Sequence, residues 1–153
     1  MKRIRAGAII VKGREVLLLQ RIIKGNKYYV FPGGKKEDNE NIEETAVRES
    51  LEETSLKIKS EKLLYKLIDE SNEQFFILCS YIDGEPKLST DSHEAMQMNE
   101  NNQYEPMWKN IENLSNLPLF PIEVRDWFIE DYNSNYINTP REQTILIADR
   151  RKV

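Results

Sequence analysis

The sequence predicts a single domain of the α/β (α+β) class, and three features carry that reading. Runs of β-branched and aliphatic residues, 4–12 with 16–21 and 62–69 with 74–81, are paired across short polar turns. The stretch from Ile42 to about Thr54 favours helix and contains no Gly or Pro. Two shorter amphipathic stretches, 111–117 and 122–129, fall near the end of a 153-residue chain. That length lets one domain bury a core without disulfides.

Taken in order, IRAGAIIVK (4–12) and VLLLQR (16–21) flank Lys12-Gly13-Arg14-Glu15 and read as a hairpin. Tyr28-Tyr29-Val30-Phe31 is a short strand stopped by Pro32, which has a fixed φ and no N–H for a ladder. Gly33-Gly34 then frees the backbone to turn sharply. Residues 35–41 (KKEDNEN) suit a loop, with Asn41 or Asn39 as the cap of the helix that starts at Ile42. The strands 62–69 and 74–81 meet at Ser71-Asn72, and Asp83-Gly84 marks another turn. Residues 90–106 are polar and predict a long surface loop, after which a strand resumes near Tyr104–Trp108. Residues 132–143 read as irregular. The run 144–148 either adds a strand to its own sheet or packs on a partner.

A net charge of −4 and a pI near 5.2 argue against a surface that neutralises a long nucleic-acid backbone. Such a chain can still take a small anionic substrate where cations are held locally, because a bound divalent ion inverts the local charge. Cys79 is the sole cysteine, which excludes an internal disulfide and a cysteine-based zinc site. Its place in Phe75-Phe76-Ile77-Leu78-Cys79 fits a buried small hydrophobe. With no secretory signal and no long apolar span, a cytoplasmic protein without membrane contact is expected.

The segment FPGGKKEDNENIEETAVRESLEETSL holds the sharpest pattern. Gly34, Glu40, Arg48, Glu49, Glu52 and Glu53 follow with five, seven, none, two and no residues between them. Six such matches arise by chance about once in 10⁶–10⁷ positions. At about 100° per residue, Glu49, Glu52 and Glu53 share one face of the helix, with Ala46, Val47 and Leu51 to one side for sheet packing. Like charges at that spacing repel, and more so when desolvated, so bound cations would relieve them. Oxygen ligands of this kind suit Mg²⁺ or Mn²⁺, and Arg48 could anchor a carboxylate through a bidentate pair.

This pattern over 34–56 resembles the signature of the Nudix hydrolases, MutT-like enzymes. The resemblance implies a mixed central sheet sandwiched between helices and hydrolysis of a nucleoside diphosphate linked to another moiety, with Mg²⁺ or Mn²⁺. It implies metal ligation by Glu52, Glu53 and the Gly34 region. Glu49 would be a ligand or the general base, with Arg48 as its positioning partner. Glu40 would support the loop, a metal or the substrate. Arg21, at the end of the aliphatic strand Leu17–Arg21, would face substrate phosphate. A further acid from a distant loop is implied by some relatives, with Glu94 and Glu100 as candidates; His93, in a polar loop, reads as solvent-exposed. Trp108 resembles the strand-to-helix step of the family and reads as core.

Two positions depart from the family pattern. Ser50 stands where an aliphatic residue is usual, and its hydroxyl needs a partner. Ser55 stands where a left-handed glycine cap is usual, a replacement costing about 1 kcal/mol. The proline typical of ADP-ribose-directed members has no counterpart near Ser71. Tyr65 and Tyr81 miss the tyrosine position of dinucleoside-polyphosphate members. A nucleoside triphosphate, standard or modified, is left as the expected substrate, and Tyr28, Tyr29 and Phe31 could stack its base. Competing readings are a non-hydrolytic nucleotide sensor and an isoprenyl diphosphate isomerase, which would need a reactive Cys79 facing substrate. Relatives of this kind are often homodimers, so the Ile145–Ile147 run is either an interface or a strand closing its own sheet.

Overall fold

A computed structural model describes residues 1–89 and 93–145, with the His93 side chain outside the description. Strands β1 (Arg3–Lys12) and β2 (Glu15–Ile23) form the expected hairpin around Gly13, whose φ of +60° suits glycine. They pair only at Val11↔Val16 and Lys12↔Glu15, and then part. On the side it shares with β1, β2 continues against β3 (Asn26–Val30). Along its other edge it pairs with β7 (Asn102–Asn110). On its β2 side β1 takes up the short β4 (Gly33–Lys35), and its other edge runs parallel to β6 (Asn72–Asp83). The sheet then extends through antiparallel β5 (Lys57–Ile68) to parallel β9 (Arg141–Thr144). At the other end β8 (Leu119–Phe120) lies parallel to β3. The result is one curled mixed sheet that opens where β1 and β2 separate.

Helix α1 (Ile42–Thr54) covers one face of this sheet. On the other face lie α3 (Ile122–Asn133) and the 3₁₀ turn Ile111–Asn116, while α2 (His93–Met96) is a single short turn. Strand alternation sends Ala8, Ile10 and Leu17 into the core under α1, with Ala46, Leu56, Ile58 and Ile77. Ile9, Val16 and Leu18 point the other way, to Phe31, Tyr65, Phe76, Val124 and Phe128. Both faces are covered, which is why these strands read as unbroken apolar runs rather than alternating ones. The α/β/α sandwich is the one expected.

Helix α1 begins where predicted. Asn41 Oδ1 accepts the Glu44 N–H and Glu44 Oε1 accepts the Asn41 N–H, both at 2.8 Å, a reciprocal capping box. It ends at Ser55, which keeps the left-handed conformation (φ 63°) despite its side chain. Its N–H bonds Leu51 O at 3.0 Å and its hydroxyl donates to Lys87 O. Ser50 is fully buried and its Oγ has no partner among the described residues, contrary to the partner expected for it. Leu51 is exposed rather than packed on the sheet. Of the three residues expected to pack on the sheet, Ala46 is fully buried and Val47 partly so.

Three other expectations are corrected. The sharp turn expected at Gly33-Gly34 falls at Pro32, and both glycines belong to a short strand, β4. The loop predicted over 90–106 contains α2 and the start of β7, with 90–92 outside the described residues. The irregular stretch predicted over 132–143 includes the end of α3 and the start of β9. Ile145 N–H donates to Ile68 O at 2.7 Å and its side chain is buried in this chain's own core; 146–148 lie outside the description.

Candidate active site

Two glycines let the acidic helix approach the sheet. A Cβ on Gly33 would fall 2.6 Å from Ala6 O and Gly7 Cα, where β4 presses on β1. A Cβ on Gly34 would collide with the Glu49 carboxyl group. Gly33 N–H instead donates to Glu53 Oε1 at 2.8 Å, which ties the end of α1 to the turn.

Oxygens of Glu49, Glu53 and Glu94 converge within 4.8 Å of one another. Glu49 and Glu53 come from successive turns of α1, and Glu94 reaches in from α2. Glu53 is 4% exposed. Burial raises its pKa well above the carboxylate range, and the negative charges of Glu94 and Glu49 push in the same direction. Burial also raises Glu49, against the opposing pull of Arg48. These are crowded, desolvated carboxylates, the condition that a divalent ion relieves.

The remaining predicted residues are placed as follows. Glu52 stands half exposed, 3.5 Å from Arg48, outside the three-carboxylate cluster. Glu100 is exposed in the turn before β7, so of the two loop candidates it is Glu94 that joins the cluster. Glu40 is taken up by Arg48 (3.0 and 2.7 Å), by the Thr45 hydroxyl (2.8 Å) and by Glu37 N–H (3.0 Å). It braces the loop and does not line the cleft. The Arg48 guanidinium beside it holds its carboxyl down to about 2.

Where β1 and β2 part lies a cleft of about 310 Å³. Glu53, Glu94, Gly33 and Gly34 form one end of its lining, and Arg21 and Tyr104 another part. The Arg21 guanidinium lies 3.8 Å from the Tyr104 ring centre and donates to Asn102 Oδ1 at 3.0 Å. Its Nε is buried without a partner among the described residues. Phe31 lines the cleft, whereas Tyr29 belongs to the core and Tyr28 meets the cleft residue Phe120 edge-on at 6.1 Å. Trp108 packs partly buried under α1, edge-on to Tyr81 at 5.7 Å. Cys79 is buried in the α1-side core, away from the cleft, and burial raises its thiol to about 12.

Asn72, Gln74 and Phe120 also line the cleft and were not singled out from sequence. The signal for Asn72 and Gln74 was period two: with Phe76 they alternate along β6 and so share one face, whereas Phe120 lies on the two-residue β8.

A curled mixed sheet between helices thus carries an acidic helix face set on a Gly-Gly strand beside a cleft. The family model for the NUDIX domain matches residues 1–127, and the chain belongs to the Nudix family. It is 26% identical over 112 residues to the uncharacterised Nudix hydrolase YvcI of Bacillus subtilis, over 70% of this chain and 65% of that protein. It is 40% identical over 63 residues to the 8-oxo-dGTP diphosphatase of Proteus vulgaris, over 40% of this chain and 56% of that one. The matches thus span under two thirds of either relative's length. A crystal structure of a NUDIX hydrolase from Nitrosomonas europaea aligns with a TM-score of 0.70 at 18% identity, over 95% of this chain and 78% of that one, a likeness of fold.

Proposed function

We propose that this chain is a divalent-cation-dependent pyrophosphohydrolase. It cleaves a phosphoanhydride bond of a nucleoside diphosphate linked to another group, with a nucleoside triphosphate, standard or modified, as substrate. The observation that carries this reading is the convergence of Glu49, Glu53 and Glu94 against Gly33-Gly34 at one end of a cleft. The relative named 8-oxo-dGTP diphosphatase supports the substrate class.

Glu49, Glu53 and Glu94, with Glu52 and the Gly34 backbone, would hold Mg²⁺ or Mn²⁺. Such an ion supplies charge compensation on phosphoryl oxygens and acidifies water near neutral pH. Glu49 accepts the proton of the attacking water as general base. Arg48 donates to Glu49 Oε1 at 3.0 Å and fixes that carboxylate on the helix face. Arg21 presents its guanidinium to the phosphate chain, pre-oriented by Tyr104 and Asn102. Phe31, Phe120 and Ile145 wall the cleft and exclude water from the nucleoside.

The protein acts as one domain over 1–153, alone or as a homodimer, on the small nucleotides of the cytoplasm. Among the described residues no helix is long and apolar enough to cross a membrane. The isomerase reading loses support because Cys79 does not face the cleft. Turnover of a panel of nucleoside di- and triphosphate derivatives, with Mg²⁺ or Mn²⁺, tests the proposal. Hydrolysis that requires the ion and collapses in Glu53→Gln is expected; tight nucleotide binding with no product from any panel member would favour the sensor instead.

A further inference from the structure

The cleft lining brings together groups of different chemistry: Glu53 and Glu94 beside Gly33-Gly34, the apolar Leu19, Val30, Phe31, Leu67, Phe76 and Phe120, and the guanidinium residues Arg5 and Arg21. Next to Phe76 on the same face of β6 come Gln74 and Asn72. Sheet register fixes how far this amide row lies from the β4 glycines. Gly33 pairs with Gly7 and Gly7 with Phe76, while Lys35 pairs with Arg5 and Arg5 with Gln74. The amide row therefore lies two strand spacings from β4, about 10 Å across the sheet. That separation matches the reach of a nucleoside from its diphosphate to the outer edge of its base.

The Asn72 side chain is unspent. Its Oδ1 is shielded from solvent and has no hydrogen-bond partner among the described residues. The turn it belongs to is built by other atoms: Asp69 Oδ1 accepts the N–H groups of Ser71 (2.8 Å) and Asn72 (2.7 Å), and Asp69 N–H bonds Asn72 O at 2.9 Å. No hydrogen bond of the Gln74 side chain occurs among the described residues either, although Gln74 lines the cleft two residues on. A shielded acceptor without a donor is costly unless a ligand supplies the donor. The neighbouring Asp69 carboxylate, 3% exposed and also in the lining, favours an N–H donor beside Asn72, while Arg5, paired with Gln74 across the sheet, adds a cationic residue to the same lining.

We propose that Asn72 and Gln74 read the hydrogen-bonding edge of the substrate's nucleobase and select a base carrying an exocyclic amino group over its oxo counterpart. The inference rests on the pyrophosphohydrolase reading for the placement of the phosphates beside Glu53 and Glu94. Asn72 Oδ1 accepts from the amino group, Gln74 contacts the adjoining edge, and Phe76 and Phe120 supply apolar contact to the ring. Side-chain amides suit this work because each offers a donor and an acceptor in one plane.

The test compares nucleoside triphosphates that exchange amino for oxo at one ring carbon, with the adjoining ring nitrogen changing from acceptor to N–H donor: ATP with ITP, CTP with UTP and GTP with XTP. Turnover and calorimetric affinity are measured with Mg²⁺. The amino member of the best-accepted pair is expected to be favoured about tenfold or more in kcat/KM. Asn72→Ala is expected to bring that ratio close to one, Gln74→Ala to lower it, and Asn72→Asp, which keeps an acceptor, to retain it. Because the Asp69 turn uses only backbone atoms of residue 72, the variants should melt like the wild type. Equal treatment of amino and oxo members in both turnover and affinity would overturn the inference while hydrolysis stood. Discriminating affinity without turnover would overturn the hydrolase reading and keep the base reader. No binding of any member would overturn both.

Discussion

Arg48 grips Glu40 through two parallel hydrogen bonds, Nε to Oε2 at 3.0 Å and Nη2 to Oε1 at 2.7 Å. The same guanidinium donates to Lys35 O and to Glu49 Oε1, each at 3.0 Å. One side chain therefore joins the end of β4, the following loop and the acidic face of α1. Lysine cannot reproduce that planar fork. Arg48→Lys and Glu40→Gln are each expected to cost about 1–3 kcal/mol of stability. Each should lower kcat/KM about ten- to a hundredfold by misplacing Glu49. The pH signature follows from the depressed Glu40 pKa. Its folded value, about 2, lies below the ordinary 4.5, so its contribution is complete above 4.5 and is lost as pH falls toward 2. Calorimetric melting should show wild type and Glu40→Gln converging across that window. A gap that persisted to the acid end would mean that Arg48 is not the source.

Glu53 titrates in the opposite direction. Burial and two neighbouring carboxylates raise its folded pKa above the ordinary value. Between those two values the native state binds more protons than the unfolded chain, so metal-free stability falls as pH rises through that window. Glu53→Gln removes the charge and should flatten this slope, leaving the metal-free variant the more stable at neutral pH. Added Mg²⁺ should raise the melting temperature of the wild type and leave the variant nearly unmoved. Melting series in chelator and in Mg²⁺ would show this, and a variant less stable than wild type in chelator at neutral pH would sink it.

The glycine pair separates two effects that are otherwise entangled. A methyl at Gly34 lies nearest the Glu49 carboxyl, the far end of a side chain that can swing aside, whereas a methyl at Gly33 meets the β1 backbone. Gly34→Ala should therefore fold with a modest loss of stability and bind Mg²⁺ or Mn²⁺ at least tenfold more weakly, because Glu49 is pushed aside. Gly33→Ala should lose about 1–3 kcal/mol through the strained β1–β4 contact. Ion titration by calorimetry, run beside thermal melting, distinguishes the pair. Equal metal affinity in Gly34→Ala and wild type would dissociate Glu49 from the ion site.

Local signals made much of the fold legible. Asn41, one of the two cap candidates, announced the start of α1, and the apolar runs announced β1, β2, β5 and β6. What escaped depends on contacts distant in the chain. Gly33–Lys35 is a strand only because β1 diverges from β2 and leaves an edge for it. Arg141–Thr144 carries no apolar alternation and is a strand only because β5 offers an edge. In the site, the convergence of Glu49 and Glu53 followed from helical geometry, whereas Glu52, expected on the same face, stands outside the cluster. The place of Glu94 depends on how a polar loop returns to the helix, which no periodicity records. Asn72 and Gln74 were hidden for a related reason, since their strand neighbours are Arg3 and Arg5, some seventy residues earlier.

That edge strand depends on a buried ion pair. Asp131 is fully buried and accepts from the Tyr65 hydroxyl at 2.7 Å and from Arg141 at both oxygens. Arg141 also reaches the exposed Glu130 at 2.9 Å. One guanidinium thus holds two carboxylates in different surroundings, and burial decides which matters. Arg141→Ala leaves Asp131 buried with only the tyrosine hydroxyl, an expected loss of about 3 kcal/mol or more. Glu130→Gln should cost under about 1 kcal/mol, as for an exposed pair. Losing Arg141 should also free β9 from β5, so the Ile145 amide, bonded to Ile68 O at 2.7 Å, should exchange its hydrogen much faster. Ile145 walls the cleft, so KM for nucleotide should rise more than kcat falls. Amide exchange and steady-state kinetics on the two variants check both halves, and slow exchange at Ile145 in Arg141→Ala would show that β9 is held by its backbone pairing with β5 alone.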